Sequence, residues 1–191
     1  MAYLLLLGQP GVGKCKLLKE IANNFKNVVW ITTTYTIERV RNGLKKDAWI
    51  IDAFSWGMKK PLSERDVVVI NPTNLNEISL AFSKVLENVR EDYLLILNSI
   101  SGLAVYQPLS KIINLLRVLL VKVENDNSRA IFTLVSGAQE KQFEMGIMML
   151  FPSIVELEEQ RIRVLKSCYN KFERGVYSID SSKEILTGML S

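Results

Sequence analysis

The chain has no histidine among its 191 residues. This absence excludes histidine-based acid–base catalysis, a Ser-His-Asp triad and metal binding through imidazole. Cysteine is almost as scarce, since Cys15 and Cys168 are the only two and neither belongs to a CxxC pair. The sequence therefore predicts neither a zinc site nor a disulfide framework, and a reducing cytoplasm is the expected setting.

Long apolar runs and a strong charge are also missing. The first apolar segment, YLLLL at 3–7, is too short to span a membrane and lacks the features of a signal peptide. The net charge is only +4 and the basic residues are dispersed, so no membrane is expected and a nucleic-acid partner is not favoured. One segment, YNKFERG at 169–175, mixes aromatic and basic residues as single-strand binders do, but is equally typical of a hairpin tip.

What the sequence does have is an alternation of apolar strands with amphipathic helices. Hydrophobic residues make up 48% of the chain, enough for a single domain over 1–191. Predicted strands cover 3–7, 27–34, 48–54, 66–71, 93–100 and 129–136, and predicted helices follow the first loop and cover 36–44, 74–89 and 109–126. Segments 153–159, 161–167 and 175–180 nearly alternate, which favours short antiparallel strands. We therefore predict an α/β fold whose mostly parallel sheet carries helices on both faces, with a core at 1–136 and a C-terminal antiparallel extension at 153–191.

The segment GQPGVGKC at 8–15 carries the most specific motif. Gly8, Gly13 and Lys14 match the phosphate-binding pattern G-x-x-x-x-G-K, which here follows a buried strand and opens a helix. Such a loop directs backbone N–H groups and the positive end of a helix dipole at phosphate, and its lysine reaches the outer phosphates. The predicted nucleotide-binding residues are Gly8, Gln9, Pro10, Gly11, Val12, Gly13, Lys14 and Cys15. The alternative is a glycine turn with a solvated lysine.

Cys15 stands where this motif has a serine or threonine. Mg²⁺ prefers oxygen ligands, so a thiol at this position weakens a metal site while leaving the phosphate loop intact. A helix N-terminus beside a lysine also lowers the pKa of a cysteine, which makes a reactive thiol the alternative interpretation.

A complete phosphate-loop enzyme needs a carboxylate at the end of another buried strand to hold its metal. The apolar run YLLILNS ends in Asn98 and Ser99, where an amide is a weaker partner for Mg²⁺ than a carboxylate. The run WIIDAF offers Asp52 instead. If its strand lay beside the loop strand, Asp52 would hold the metal and the protein would be an active Mg²⁺-dependent ATPase or kinase. If not, Asp52 caps a turn at a strand end.

Taken in order, the loop GQPGVGKC, the strand LLILNSISGL, the helix KIINLLRVLLVKV, the strand AIFTLVSG and the tail IVELEEQRIRVLKS resemble the RecA-like P-loop ATPases of the KaiC-like group. The resemblance covers nearly the whole chain. It makes Asn98 the counterpart of the Walker B aspartate in that family, with Ser99 after it. It places Thr33, Thr34 and Tyr35 where a water-activating glutamate stands, and Lys166 near a basic residue that neighbouring subunits offer to phosphate.

The resemblance implies a protein that binds ATP or ADP with weak or absent Mg²⁺ and little hydrolysis. A regulatory or assembly role would involve a homo-oligomer or another protein partner, although the segment that precedes the loop strand in this family has no counterpart here, which weighs against a hexamer. A recombinase-paralogue-like module that assists DNA transactions is the further alternative. Trp30, Trp49, Trp56 and Tyr35 have rings that could stack on a base, but such residues are more often core or sheet-edge residues.

Overall fold

A computed structural model describes residues 2–168 and 172–191, so the segment at 169–175 lies partly outside the described residues. Its strands are β1 (Ala2–Gly8), β2 (Val28–Thr32), β3 (Trp49–Asp52), β4 (Asp66–Val68), β5 (Leu94–Leu97), β6 (Arg129–Val135), β7 (Ser153–Leu157), β8 (Arg161–Lys166) and β9 (Gly175–Ser178). Its helices are α1 (Lys14–Ala22), α2 (Ile37–Arg41), α3 (Leu75–Leu86), α4 (Ile100–Ala104), α5 (Leu109–Asn125), α6 (Lys141–Met148) and α7 (Ser182–Met189), with a 3₁₀ turn at Ile179–Ser181.

The described strands form one sheet in the order β4-β3-β2-β5-β6-β1-β7-β8-β9. All pairings from β4 through to β7 are parallel, whereas β8 and β9 pair antiparallel. The predicted α/β architecture, with a mostly parallel sheet and antiparallel strands at the C-terminal end, is confirmed. The expectation for 153–159 was incomplete, because β7 also extends the parallel part by pairing with β1.

Strand β1 is apolar throughout because both of its faces are covered by helices. Leu5 and Leu7 belong to one core cluster, which packs against α3, α4, α5 and α6. Leu4 and Leu6 belong to the other, which packs against α1, α2 and α7. Successive strand residues point to opposite faces, so a strand buried on both sides reads as a continuous apolar run.

Helices α3 and α5 occupy the predicted segments because each presents an apolar stripe to the sheet. Ile78, Phe82 and Val85 are fully buried along α3, and the side chain of Asn74 caps its first turn by accepting a hydrogen bond from the N–H of Asn76. The shorter helices α4, α6 and α7 lie in segments for which the sequence pattern predicts no helix. Among the described residues, no helix has the length and apolarity needed to cross a bilayer.

Candidate nucleotide site

The loop between β1 and α1 has the backbone that an anion-binding loop requires. Gly11 and Gly13 have φ angles of 86° and 92°, in the left-handed region that side chains with a Cβ disfavour. Gly13 is the residue that caps α1, and it offers no side chain to the first turn, which also contains no acidic residue. The first N–H groups of α1 and the positive end of its dipole are therefore available to a negatively charged group.

Lys14 is the charged group of the loop. Its Nζ donates hydrogen bonds to the carbonyl oxygens of Gly8, at 2.5 Å, and Gln9, at 2.7 Å. Burial lowers the pKa of Lys14 from 10.5 to about 8, because desolvation disfavours the charged ammonium. The ammonium thus folds back onto the start of its own loop, within a partly desolvated site where a phosphate would favour its charged form.

The loop forms one wall of a cleft of about 300 Å³. The lining residues come from the loop, α1 and the carboxyl ends of neighbouring strands: Pro10, Gly11, Gly13, Lys14, Cys15, Lys16, Leu18, Thr34, Tyr35, Asn98, Ser99, Thr133 and Val135. Two of the described lining residues are lysines and none is acidic. The local charge therefore favours an anion such as phosphate.

Asn98, directly after β5, forms the opposite wall together with the residues that follow β2. Its Oδ1 accepts a hydrogen bond from the N–H of Thr33, at 2.9 Å, while the Thr33 hydroxyl donates its single proton to the carbonyl oxygen of Ser99, at 2.6 Å. Its Nδ2 donates to the hydroxyl oxygens of Thr32 and Thr34, each at 3.2 Å. Every polar position of the amide is therefore engaged by the three consecutive threonines.

The hydroxyl of Thr32 determines which group is suited to position 98. Thr32 donates its single proton to the carbonyl oxygen of Tyr35, at 2.7 Å. Only lone pairs of this hydroxyl remain for residue 98, so the partner must be a donor. The Nδ2 of Asn98 meets that requirement, whereas an ionised carboxylate would place an oxygen against an oxygen.

These residues fit phosphate better than they fit magnesium. The half-buried Cys15 brings a thiol to the first turn of α1, where Mg²⁺ would need an oxygen ligand. The Asn98 amide is already bound by the threonines. Among the described residues, no three side chains of the His, Cys, Asp or Glu type lie close enough together to hold a metal ion.

The alternative in which Asp52 holds the metal required its strand to lie beside the loop strand, and the sheet does not meet that condition. Strand β3, which ends at Asp52, is separated from β1 by the three strands β2, β5 and β6. The buried carboxylate accepts hydrogen bonds from the N–H groups of Phe54, at 2.8 Å, and Ser55, at 2.9 Å, and from the Ser55 hydroxyl, at 2.7 Å. Asp52 therefore caps the turn after β3, which is the other interpretation of this residue.

Other predicted residues fall partly inside and partly outside the cleft. Thr34 and Tyr35 line it, whereas Thr33 is buried behind Asn98 and Trp30 is fully buried in the core, out of reach of a base.

Gln9 and Val12 line the outer side of the loop, facing β7 and β8. Lys166, the exposed last residue of β8, donates to the carbonyl oxygen of Phe151 at 2.7 Å.

Sequence reasoning missed two polar contributors to the cleft. Lys16 lies two residues beyond the motif lysine and lines the same cleft, a position that the loop pattern leaves unspecified. Thr133 lies on β6, and its hydroxyl donates to the backbone carbonyl of Asn98. Its role depends on β6 lying beside β5, which the sequence pattern does not encode.

The sheet has the order of a RecA-like fold, in which one strand, β6, separates the loop strand β1 from β5, the strand that Asn98 follows. Comparison with solved structures supports this fold. The KaiC-like protein PH0186 from Pyrococcus horikoshii OT3 superimposes with a TM-score of 0.67 at 16% identity, over 93% of this chain and 84% of that one. PH0250 from the same organism gives 0.66 at 15% identity, over 93% and 92%.

A third similar structure is the uncharacterized protein PH0321 from Pyrococcus horikoshii, solved with an unknown peptide. It gives a TM-score of 0.63 at 14% identity, over 87% of this chain and 84% of that one. No protein-family model matches the sequence, and no curated protein is similar to it. The similarity therefore lies in the three-dimensional arrangement, and it shows a KaiC-like, RecA-type fold.

Proposed function

We propose that this protein binds a nucleoside di- or triphosphate, such as ADP or ATP, through its phosphates, with little dependence on Mg²⁺ and little hydrolysis. One observation carries the proposal: the open N-terminus of α1 and the partly desolvated Lys14 face a wall in which no described residue is acidic. A phosphate group would accept hydrogen bonds from the first N–H groups of α1, and its negative charge would pair with the ammonium of Lys14. The bound nucleotide would act as a signal in a regulatory or assembly role in the cytoplasm.

The opposite wall supports binding without turnover. Phosphoryl transfer to water requires a metal between the outer phosphates and a group that orients the attacking water. The cleft presents Asn98 in place of a metal-binding carboxylate, and Thr34 and Tyr35 in place of a water-activating glutamate. A neutral hydroxyl is a poor base at pH 7, and each missing group commonly contributes orders of magnitude to the rate.

Calorimetric titration with ATP and ADP, with and without Mg²⁺, tests the proposal. We expect similar affinities in both conditions and a loss of at least about tenfold in Lys14→Ala, since charge-assisted hydrogen bonds to phosphate contribute roughly 1.5–3 kcal/mol. Lys16→Ala is the matched control: it removes an equal charge from the same cleft, outside the motif, and we expect a smaller loss. Absence of binding in every condition would reject nucleotide binding, and binding only with Mg²⁺ would reject the metal-independent site.

Homo-oligomerisation and a role in DNA transactions stay predictions. The net charge of +4 gives DNA binding little support. Salt-dependent binding of single-stranded DNA, measured by fluorescence anisotropy, would favour the DNA-transaction alternative.

A further inference from the structure

We propose that a second cleft, which also lies at the carboxyl ends of the parallel strands, binds an aromatic side chain of a protein partner. This aromatic cleft has a volume of about 310 Å³. The loop after β3 and the connection between α4 and α5 form its sides: it is lined by Thr33, Thr34, Ala53, Phe54, Trp56, Pro72, Gly102, Leu103, Val105, Tyr106 and Gln107. The proposal does not rest on nucleotide binding.

Three large rings stand partly in solvent around this cleft. Phe54 is 42% exposed, Trp56 is 38% exposed and Tyr106 is 59% exposed. The rings of Trp56 and Tyr106 meet edge to face, with centroids 5.6 Å apart and planes at 79°. Two segments about fifty positions apart in sequence thus bring aromatic rings together at the surface, where aromatic side chains are characteristic of interface anchors.

The backbone that presents Trp56 is strained. Trp56 and Gly57 have φ angles of 54° and 73°, and the N–H of Met58 donates to the carbonyl oxygen of Ser55 at 2.9 Å, as in a type I′ turn. The first central position of such a turn strongly favours Asn, Asp or Gly, so a bulky residue such as Trp56 is unfavourable there. Strain of this kind is concentrated at functional sites.

Asp52 holds this turn in place. Its buried carboxylate binds Ser55 through both the N–H and the hydroxyl, and it also accepts from the N–H of Phe54. Ser55 is therefore anchored in the interior while Phe54 and Trp56, on either side of it, remain at the surface. The arrangement explains how the two rings stay exposed instead of collapsing into the core.

The chemistry of the aromatic cleft favours an uncharged protein group. None of the described residues that line it carries a charge, which does not suit the phosphates of a nucleic acid. The exposed apolar surface continues beyond the cleft: Val105 is 70% exposed, and Ile70, which lies against Gly57, is 75% exposed. A small molecule held in the cleft would leave Ile70 in solvent, whereas a protein partner would cover it.

One polar group gives the cleft a preference among aromatic side chains. The Nε2 of Gln107 donates to the carbonyl oxygen of Thr73 at 2.7 Å, and the Oε1 of Gln107 accepts no hydrogen bond from any described residue. This oxygen suits the indole N–H of a tryptophan or the hydroxyl of a tyrosine better than it suits phenylalanine.

Titration of the ¹⁵N-labelled protein with capped pentapeptides, Gly-Gly-X-Gly-Gly with X as Trp, Tyr, Phe or Ser, tests this proposal. We expect saturable NMR shifts confined to residues 53–57 and 102–107, with dissociation constants in the millimolar range for Trp and Tyr, weaker binding for Phe and none for Ser. Lys14→Ala is expected to bind the peptides normally, so failure of the proposed nucleotide binding would not affect this result.

Trp56→Asn is the most informative variant, since Asn-Gly is the preferred sequence of a type I′ turn and the backbone should therefore be kept. We expect Trp56→Asn and Tyr106→Ala each to weaken binding of the Trp peptide about fivefold or more, the effect of losing one aromatic contact. Val176→Ala is the control, because Val176 is an exposed apolar residue of β9, which lies at the other end of the strand order from β3 and β4. This variant should leave the affinity for the Trp peptide unchanged. Equal affinity in Trp56→Asn and wild type, or absence of saturable shifts with every peptide, would overturn the proposal, and so would tighter binding of adenosine than of the Trp peptide.

Discussion

Replacement of Asn98 by aspartate would restore the acidic residue of a metal-binding site, yet we expect it to destabilise the protein. In Asn98→Asp, one carboxylate oxygen keeps the bond from the N–H of Thr33, while the other faces the hydroxyl oxygens of Thr32 and Thr34. Thr34 can turn its proton toward the carboxylate. Thr32 cannot do so without abandoning the carbonyl oxygen of Tyr35.

The variant therefore loses the hydrogen bond between residue 98 and Thr32, worth about 1 kcal/mol net, and the contact between a carboxylate oxygen and the Thr32 oxygen adds an unfavourable contribution of similar size. We expect the free energy of unfolding to fall by about 1–2 kcal/mol at pH 7.5. At roughly 2–4 °C per kcal/mol for a chain of this size, the melting temperature should fall by about 2–8 °C. Thermal unfolding followed by circular dichroism measures this difference.

Two results would refute this reasoning. One is an Asn98→Asp variant as stable as wild type at pH 7.5. The other is a variant that millimolar Mg²⁺ stabilises by several degrees, which would mean that the carboxylate does bind a metal. If neither of these results is observed, we expect the Asn98→Asp variant to show no more Mg²⁺-dependent ATP hydrolysis than wild type in a phosphate-release assay.

Two further predictions concern the charged groups of the structure. The pKa of Lys14 is about 8 without ligand, and phosphate binds the protonated form of Lys14. ATP affinity should therefore be constant below about pH 8 and fall up to about tenfold per pH unit above it, as calorimetry from pH 6.5 to 9.5 would measure. Lys14→Arg should abolish this fall in affinity, since arginine keeps its charge over this pH range. Asp52→Ala removes three hydrogen bonds from a buried turn and should lower the free energy of unfolding by about 3–5 kcal/mol, as measured by urea denaturation. ATP affinity in Asp52→Ala should stay at the wild-type value at temperatures where the variant is folded, and a loss of affinity comparable to that of Lys14→Ala would contradict the cap role.

Much of the architecture could be predicted from sequence because the signals are local. The glycine loop between a buried strand and a helix places Lys14 and Cys15 in the first turn of α1, since motif, strand and helix are contiguous. The apolar stripe of α3 predicts a helix with one buried face, and the continuous apolar run of β1 predicts a strand buried on both faces. The short helices α4 and α6 were missed because each offers too few turns to show a clear period.

The sequence by itself determined that a glycine loop matching the phosphate-binding pattern follows the first strand, that Cys15 occupies the hydroxyl position of this pattern, and that Asn98 and Asp52 each end an apolar run. Only the tertiary structure decided which of the two faces the loop. Parallel strands buried on both faces look alike in sequence, and their neighbours are set by long-range packing and hydrogen bonding between strands. That packing places β6 between β1 and β5, and it places the three strands β6, β5 and β2 between β1 and β3. The same long-range pairing brings Trp56 and Tyr106 together, which no local pattern could have shown.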